Sequence, residues 1–149
     1  IIKKDNPVKL IILGEGEIKE ALKKKIDSLK MNNNISLLGY QDNVYGYLKG
    51  AKAFILSSLW EDPGFVLIEA AFCNLPIISS NCPNGPSEIL NKGKDGFMYE
   101  SNSKKDFLIK FEEYLSTDNK DLFIKKLCVK KNSKNFTYFK HSEDLKKIL

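Results

Sequence analysis

Residues 53–80, AFILSSLWEDPGFVLIEAAFCNLPIISS, read as strand, loop, helix, turn and strand in direct succession. The segment 53–57 is short, apolar and rich in strand formers, and 76–80 repeats that signature, so both predict buried strands. Between them, residues 64–73 are apolar nearly all round, which predicts a largely buried helix. Asp62 is the expected N-cap and Pro63 fits the first turn, leaving the backbone N–H groups of Gly64, Phe65 and Val66 free. Two buried strands joined by a helix imply a parallel pair with a crossover.

The alternation extends both ways. Upstream, the run 8–13 stops at Gly14-Glu15-Gly16 and predicts a strand ending in a tight turn. A helix is expected over 17–31, where Ile18, Leu22, Ile26 and Leu29 recur at three and four residues. Then come a strand at 35–38, a turn at Gly39 and a helix at 44–49. Downstream, a helix near 86–90 and a short strand at 97–99 complete the series. The fold class is therefore α/β, a doubly wound parallel sheet of Rossmann-like type. After residue 100 only helical spacing remains. Two apolar stripes, Phe107, Leu108, Phe111, Tyr114 and Leu115, then Leu122, Phe123, Leu127 and Cys128, are expected to pack back onto the sheet. The chain reads as one partial domain, residues 1–149, with a β/α core over 1–100 and C-terminal helices over 101–149.

Its 149 residues suffice for one core, and 42% hydrophobic with 29% charged residues exclude disordered, collagen-like and disulfide-framework chains. No window approaches a membrane span, and the first ten residues lack the apolar run of a signal peptide. Three scattered cysteines without a CxxC pair suit a reducing compartment, so the protein is expected to be cytoplasmic, reaching at most the inner face of a membrane. The single histidine, His141, removes the HExxH zinc helix and leaves little for a Ser-His-Asp or Cys-His site. No metal and no cofactor are expected.

All 24 basic residues are lysines, so no guanidinium is present for bidentate forks. Residues 1–100 hold 12 lysines against 12 carboxylates, and residues 101–149 hold 12 against 7, so the surplus behind the net charge of +5 lies in the last third. There the lysines alternate with apolar residues at helical spacing. That suits a solvated helix face, with a weak anionic-membrane or nucleic-acid surface as the sharper alternative. The expectation is no nucleic acid and peripheral membrane contact at most.

In doubly wound sheets ligands bind at the carboxyl ends of the strands, where loops enter helices. Four such loops, 14–17, 39–43, 57–64 and 80–87, are expected to open on one edge. The first, GEGEIK, is half of a dinucleotide fingerprint with Lys19 in the place of the third glycine, so a nicotinamide site is not expected. A tight turn without ligand explains it equally well. The third loop is richer. It sets Glu61 and Glu69 eight residues apart, flanking a helix start whose free amides and dipole can hold a phosphate or sugar hydroxyls. A carboxylate accepts two hydroxyl hydrogen bonds at once, the chemistry for gripping a ribose diol. The alternatives are an exposed loop acid at Glu61 and a lysine-paired surface acid at Glu69.

At these residues the chain resembles the C-terminal, nucleotide-sugar-binding half of the retaining group 1 glycosyltransferases, which have the GT-B fold. The resemblance covers most of the chain. The family's Glu, seven residues, Glu hallmark reads E-DPGFVLI-E here, followed by AAFCNLPIISS. Upstream, LIILGEGE and ISLLGYQDNVYGYLKGAKAFILSSLWED are similar to the family's strands and glycine turns; downstream, NGPSEIL and GKDGFMY continue the series in order. The resemblance implies that Glu69 holds the ribose and that Glu61, as the catalytic position, contacts the donor sugar near the reacting centre. It further implies that Gly64, Phe65 and Val66 meet sugar hydroxyls or the distal phosphate, that Gly14 and Gly16 line the nucleotide pocket, and that Gly39 and Tyr40 meet the base.

The implied activity is transfer of a sugar from a nucleotide diphosphate to a glycan or lipid-linked acceptor with retention, in bacterial surface-glycan assembly. A non-catalytic nucleotide-sugar-binding module or an inactive fragment is the alternative. Three departures stand out. Pro63 replaces a common aromatic residue, and Asn74 a common glycine. The family's pyrophosphate-binding Arg and Lys lie upstream of anything that aligns, since IIKKDNPVKL resembles the end of the helix after the strand that precedes them. The acceptor-binding N-terminal domain has no counterpart. Little or no transferase activity is therefore expected of this chain alone, along with lower stability from unpaired strand edges.

Overall fold

The computed structural model of the chain describes residues 8–148. Within them every strand and helix expected up to residue 100 forms, each within about three residues of its predicted ends. The reading of residues 1–7 as part of a helix end lies outside the described residues. Among the described residues all strand pairs are parallel, in one sheet of two strands and one of three. Of the described residues, those up to Val44 form one compact unit and those from Tyr45 onward a second.

In the first unit β1 (Leu10–Leu13) pairs with β2 (Ile35–Gly39), Leu10 opposite Ile35. The register shifts between Ile12 and Leu13, which brings Leu13 opposite Gly39. Helix α1 spans Lys19–Ser28 and buries Ile26. Ile18 and Leu29 of the expected stripe are exposed, because the helix is shorter than its periodicity suggested and both residues fall at its caps.

The second unit opens with α2 (Val44–Gly50), whose first residue ends the preceding unit, and builds its sheet from β3 (Phe54–Leu56), β4 (Ile77–Ser80) and β5 (Phe97–Tyr99). All four residues of β4 are buried, as the middle strand of a parallel sheet covered on both faces requires. Helix α3 (Phe65–Phe72) buries Leu67, Ile68, Ala70 and Ala71 against β3, β4, the short α4 (Pro86–Ile89) and the later helix over Asn119–Ser133. It ends in a Schellman turn: the Asn74 N–H bonds the Ala71 carbonyl and the Leu75 N–H the Ala70 carbonyl. Asn74 holds the left-handed φ of 59° that a glycine commonly supplies, and its side chain accepts a hydrogen bond from Lys130 at 3.0 Å.

Helix α5 (Lys104–Ser116) is capped by the Ser103 hydroxyl. Phe107, Phe111 and Tyr114 pack on Ile78, Phe97 and Tyr99, with edge-on ring contacts of 5.7 Å (Phe97–Tyr114) and 5.2 Å (Tyr99–Phe107). Of the stripe expected on this helix, Phe107, Phe111 and Tyr114 thus face the sheet, whereas Leu115 is exposed. Helix α6 (Asn119–Ser133) departs further. Its inward residues are Leu122, Val129 and Ser133, while Phe123, Leu127 and Cys128, expected on the core face, are exposed. Leu122 lies about a quarter turn from Phe123, so packing Leu122 and Val129 inward turns Phe123 and Leu127 away. A 3-10 turn (Lys134–Phe136) leads into α7 (Tyr138–Ile148). Among the described residues no helix is long and apolar enough to cross a membrane.

Candidate functional site

The loop between β3 and α3 is held at three points by neighbouring strands and loops. The Tyr99 hydroxyl donates to the Leu56 carbonyl at 3.0 Å, the Ser80 hydroxyl donates to the Ser58 carbonyl at 2.6 Å, and the Glu61 N–H bonds the Pro83 carbonyl at 3.2 Å. Loop 80–87 also touches the turn itself: a Cβ on Gly85, whose φ is +120°, would collide with the Pro63 carbonyl oxygen. Two of the four expected strand-end loops thus meet in this unit.

Asp62 does not cap α3. The N-cap is Gly64, at φ 84° and ψ 47°, and the Asp62–Pro63 peptide before it is cis. A left-handed residue cannot continue a right-handed helix, so α3 begins one residue later, and Asp62 remains an exposed loop acid. The Leu67 N–H bonds the Gly64 carbonyl at 3.0 Å, whereas the N–H groups of Gly64, Phe65 and Val66 have no acceptor among the described residues. Glu61 and Glu69 are both half-buried, Glu61 packed beside Gly64 and Glu69 between the buried Ile68 and Ala70. Neither carboxylate has a hydrogen bond or ion pair among the described residues, so the lysine-paired alternative for Glu69 does not hold there. A half-buried acid without a protein partner is available to a ligand.

Leu59, Trp60, Phe65 and Val66 are exposed around this loop, an apolar rim that sequence reasoning did not single out. His141 lies along a cleft of about 510 Å³ with Pro63, Phe65, Phe136 and Tyr138. Among the described residues no group of three His, Cys, Asp or Glu side chains is placed to hold a metal ion.

In the first unit the Gly14 N–H bonds the Gly39 carbonyl at 2.7 Å, which joins the first two loops. Gly14 and Gly16 line a cavity of about 140 Å³ with Ile12, Lys19, Leu22 and Leu37. Tyr40 is exposed beside it in sequence, after Gly39 at φ +72°. The residues that sequence reasoning missed here are Glu15 and its ion pair with Lys19 at 2.7 Å. The Lys19 hydrogen bond, followed by its positive charge and the Tyr40 backbone, holds the Glu15 carboxyl below its ordinary value. That carboxylate fills the space beside Gly39, where a Cβ would collide with it. The signal was present as a Glu four residues before a Lys. Lys19, anomalous as a third glycine, is accounted for as this partner.

Parallel β-α units, glycine turns at strand ends and an open helix start between two acids are the features of a Rossmann-like domain of a GT-B glycosyltransferase. The chain belongs to the family Glycosyl transferases group 1, whose model matches residues 1–135. It is 50% identical over 82 residues to an uncharacterized glycosyltransferase of Methanocaldococcus jannaschii, covering 55% of this chain and 20% of that protein. It is 31% identical over 140 residues to the UDP-Gal:alpha-D-GlcNAc-diphosphoundecaprenol alpha-1,3-galactosyltransferase of Escherichia coli, covering 93% and 35%. Among solved structures, a mutant of S. aureus TarM in complex with fondaparinux, alpha-GlcNAc-glycerol and UDP matches with a TM-score of 0.81 and 26% identity, covering 95% of this chain and 28% of that one. The chain therefore spans between about a fifth and a third of the length of these relatives.

Proposed function

We propose that this chain supplies the donor-binding half of a retaining glycosyltransferase that moves a sugar from a nucleotide diphosphate to a glycan or lipid-linked acceptor in surface-glycan assembly. The observation that carries the reading is the pair of unpartnered carboxylates, Glu61 and Glu69, on either side of the free amides of Gly64, Phe65 and Val66. In this reading Glu69 accepts hydrogen bonds from both ribose hydroxyls and Glu61 faces the donor sugar. The amides and the α3 dipole stabilise charge on the distal phosphate as the sugar departs, which is where most of the rate enhancement resides. Retention follows from attack on the face the leaving phosphate vacates.

The E. coli relative's name gives it a UDP sugar and a diphosphoundecaprenol-linked acceptor, which supports a uridine nucleotide and a lipid-linked acceptor here. Because the chain spans a minor part of its relatives' length, the proposal concerns donor binding alone. Alone, the chain is expected to bind nucleotide without turnover. The test is calorimetric titration with UDP and GDP, read in parallel by the fluorescence of Trp60, the only tryptophan, which precedes Glu61. Saturable binding that Glu69→Ala weakens supports the reading. Titrations that are flat for the unsubstituted chain and for Glu61→Gln and Glu69→Gln alike would overturn it in favour of a purely structural domain.

A further inference from the structure

Along α6 and into the turn after it, Lys120, Phe123, Ile124, Leu127, Lys131 and Lys134 recur at steps of three and four residues, which places them on one side of the helix. All six are exposed, and the opposite side, Leu122, Val129 and Ser133, is packed into the unit. The apolar members are half open to solvent: Phe123 is 55% exposed, Ile124 47% and Leu127 49%. Lys126 adds its ammonium over the Phe123 ring at 6.0 Å. The helix carries five lysines against one carboxylate, Asp121 in its first turn, so the row has cations at both ends and no acid within it.

We propose that this face of α6 is a membrane-contact surface whose partner is an anionic phospholipid bilayer. Phe123, Ile124 and Leu127 enter the boundary between headgroups and acyl chains, while Lys120, Lys131 and Lys134 extend their stems along that boundary and place their ammoniums among lipid phosphates. Charge complementarity selects this occupant. A second copy of the chain would bring two lysine rows together. A nucleic acid would use the lysines but leave Ile124 and Leu127 desolvated against a polar backbone, and stacking would have one aromatic ring to work with. The proposal is independent of the nucleotide site, which lies on other elements of the chain.

The test is flotation of the full chain with vesicles of phosphatidylcholine containing 30% phosphatidylglycerol and with vesicles of phosphatidylcholine alone. Three lysines at the surface predict binding on the order of a hundredfold tighter to the anionic vesicles, weakening as salt is raised. The triple variant Lys120→Glu, Lys131→Glu, Lys134→Glu and the double variant Phe123→Ser, Leu127→Ser should each abolish flotation. The charge-matched variant Lys23→Glu, Lys24→Glu, Lys49→Glu should float like the original chain. Equal loss in that third variant, equal binding to neutral vesicles, or displacement from vesicles by an RNA homopolymer would overturn the proposal. So would a dimer in sedimentation that the Phe123→Ser, Leu127→Ser variant converts to monomer.

Discussion

Gly85 lies so close to Pro63 that a single added carbon on it would collide with the Pro63 carbonyl oxygen. The hallmark loop before α3 and the loop after β4 are thus fitted to each other through the backbone. The φ of +120° at Gly85 also lies outside the region L residues adopt. Gly85→Ala should therefore destabilise the chain by about 2–3 kcal/mol and weaken nucleotide binding together. Urea unfolding monitored by circular dichroism measures the first effect and calorimetry the second; a variant of unchanged midpoint would show that the loops yield cheaply.

Gly46 provides the opposite case. It lies inside α2, has no positive φ, and a Cβ there meets nothing within 4 Å. Gly46→Ala should raise stability by about 0.5–1 kcal/mol through helix propensity and the restricted unfolded chain. The same urea titration reads it as a higher midpoint with an unchanged slope.

Glu69→Ala should weaken UDP binding by about a hundredfold or more, the cost of two hydrogen bonds to a charged acceptor at about 1.5–3 kcal/mol each. Stability should be little altered, since the carboxylate has no partner among the described residues. Titration with UDP beside an unfolding curve separates the two effects. Affinity that persists would move the ribose elsewhere.

Burial raises the Tyr99 and Tyr114 phenols above their ordinary value, and each hydroxyl donates to a backbone carbonyl, of Leu56 and Lys52 respectively. A raised folded-state pKa means that their contribution is complete below about pH 10, where unfolded tyrosine begins to ionise. It is lost as pH rises through the folded-state values. Unfolding midpoints should stay level from pH 8 to 9.5 and fall above pH 10. The Tyr99→Phe, Tyr114→Phe variant should start lower, by about 1 kcal/mol for each hydrogen bond, and fall less steeply.

Asn132 donates from α6 to the carbonyls of Glu88 (2.9 Å) and Ile89 (2.8 Å), where α4 ends. Asn132→Ala leaves both acceptors without that donor and should cost about 1–3 kcal/mol. Asn132→Asp should cost more, since a carboxylate in place of the amide faces two carbonyl oxygens. A thermal melt ranks the three proteins.

The parallel β/α order was legible because short β-branched runs alternate with helical spacing and end at glycines, and each such run became a strand. Both hallmark acids and the open amides were legible from Glu61, Gly64 and Glu69. Three features were not. The helix start at Gly64 depends on a left-handed φ that the sequence permits but does not require, and Asp62-Pro63 imitates a cap. On α6, Leu122 and Val129 compete with Phe123 and Leu127 for the core, and periodicity cannot rank two apolar faces of one helix. The Glu15–Lys19 pair looked like a defective third glycine, because a motif template fixes positions and not what a side chain turns back to meet.

The attachments of the loop before α3 leave a gap between them. Ser58 is tied to Ser80 and Glu61 to Pro83, while Leu59 and Trp60, between the two ties, are exposed. Substitutions at these two positions leave both backbone ties in place. In the proposed donor site, diversity confined to Leu59 and Trp60 is therefore a route to altered selectivity on an unaltered scaffold.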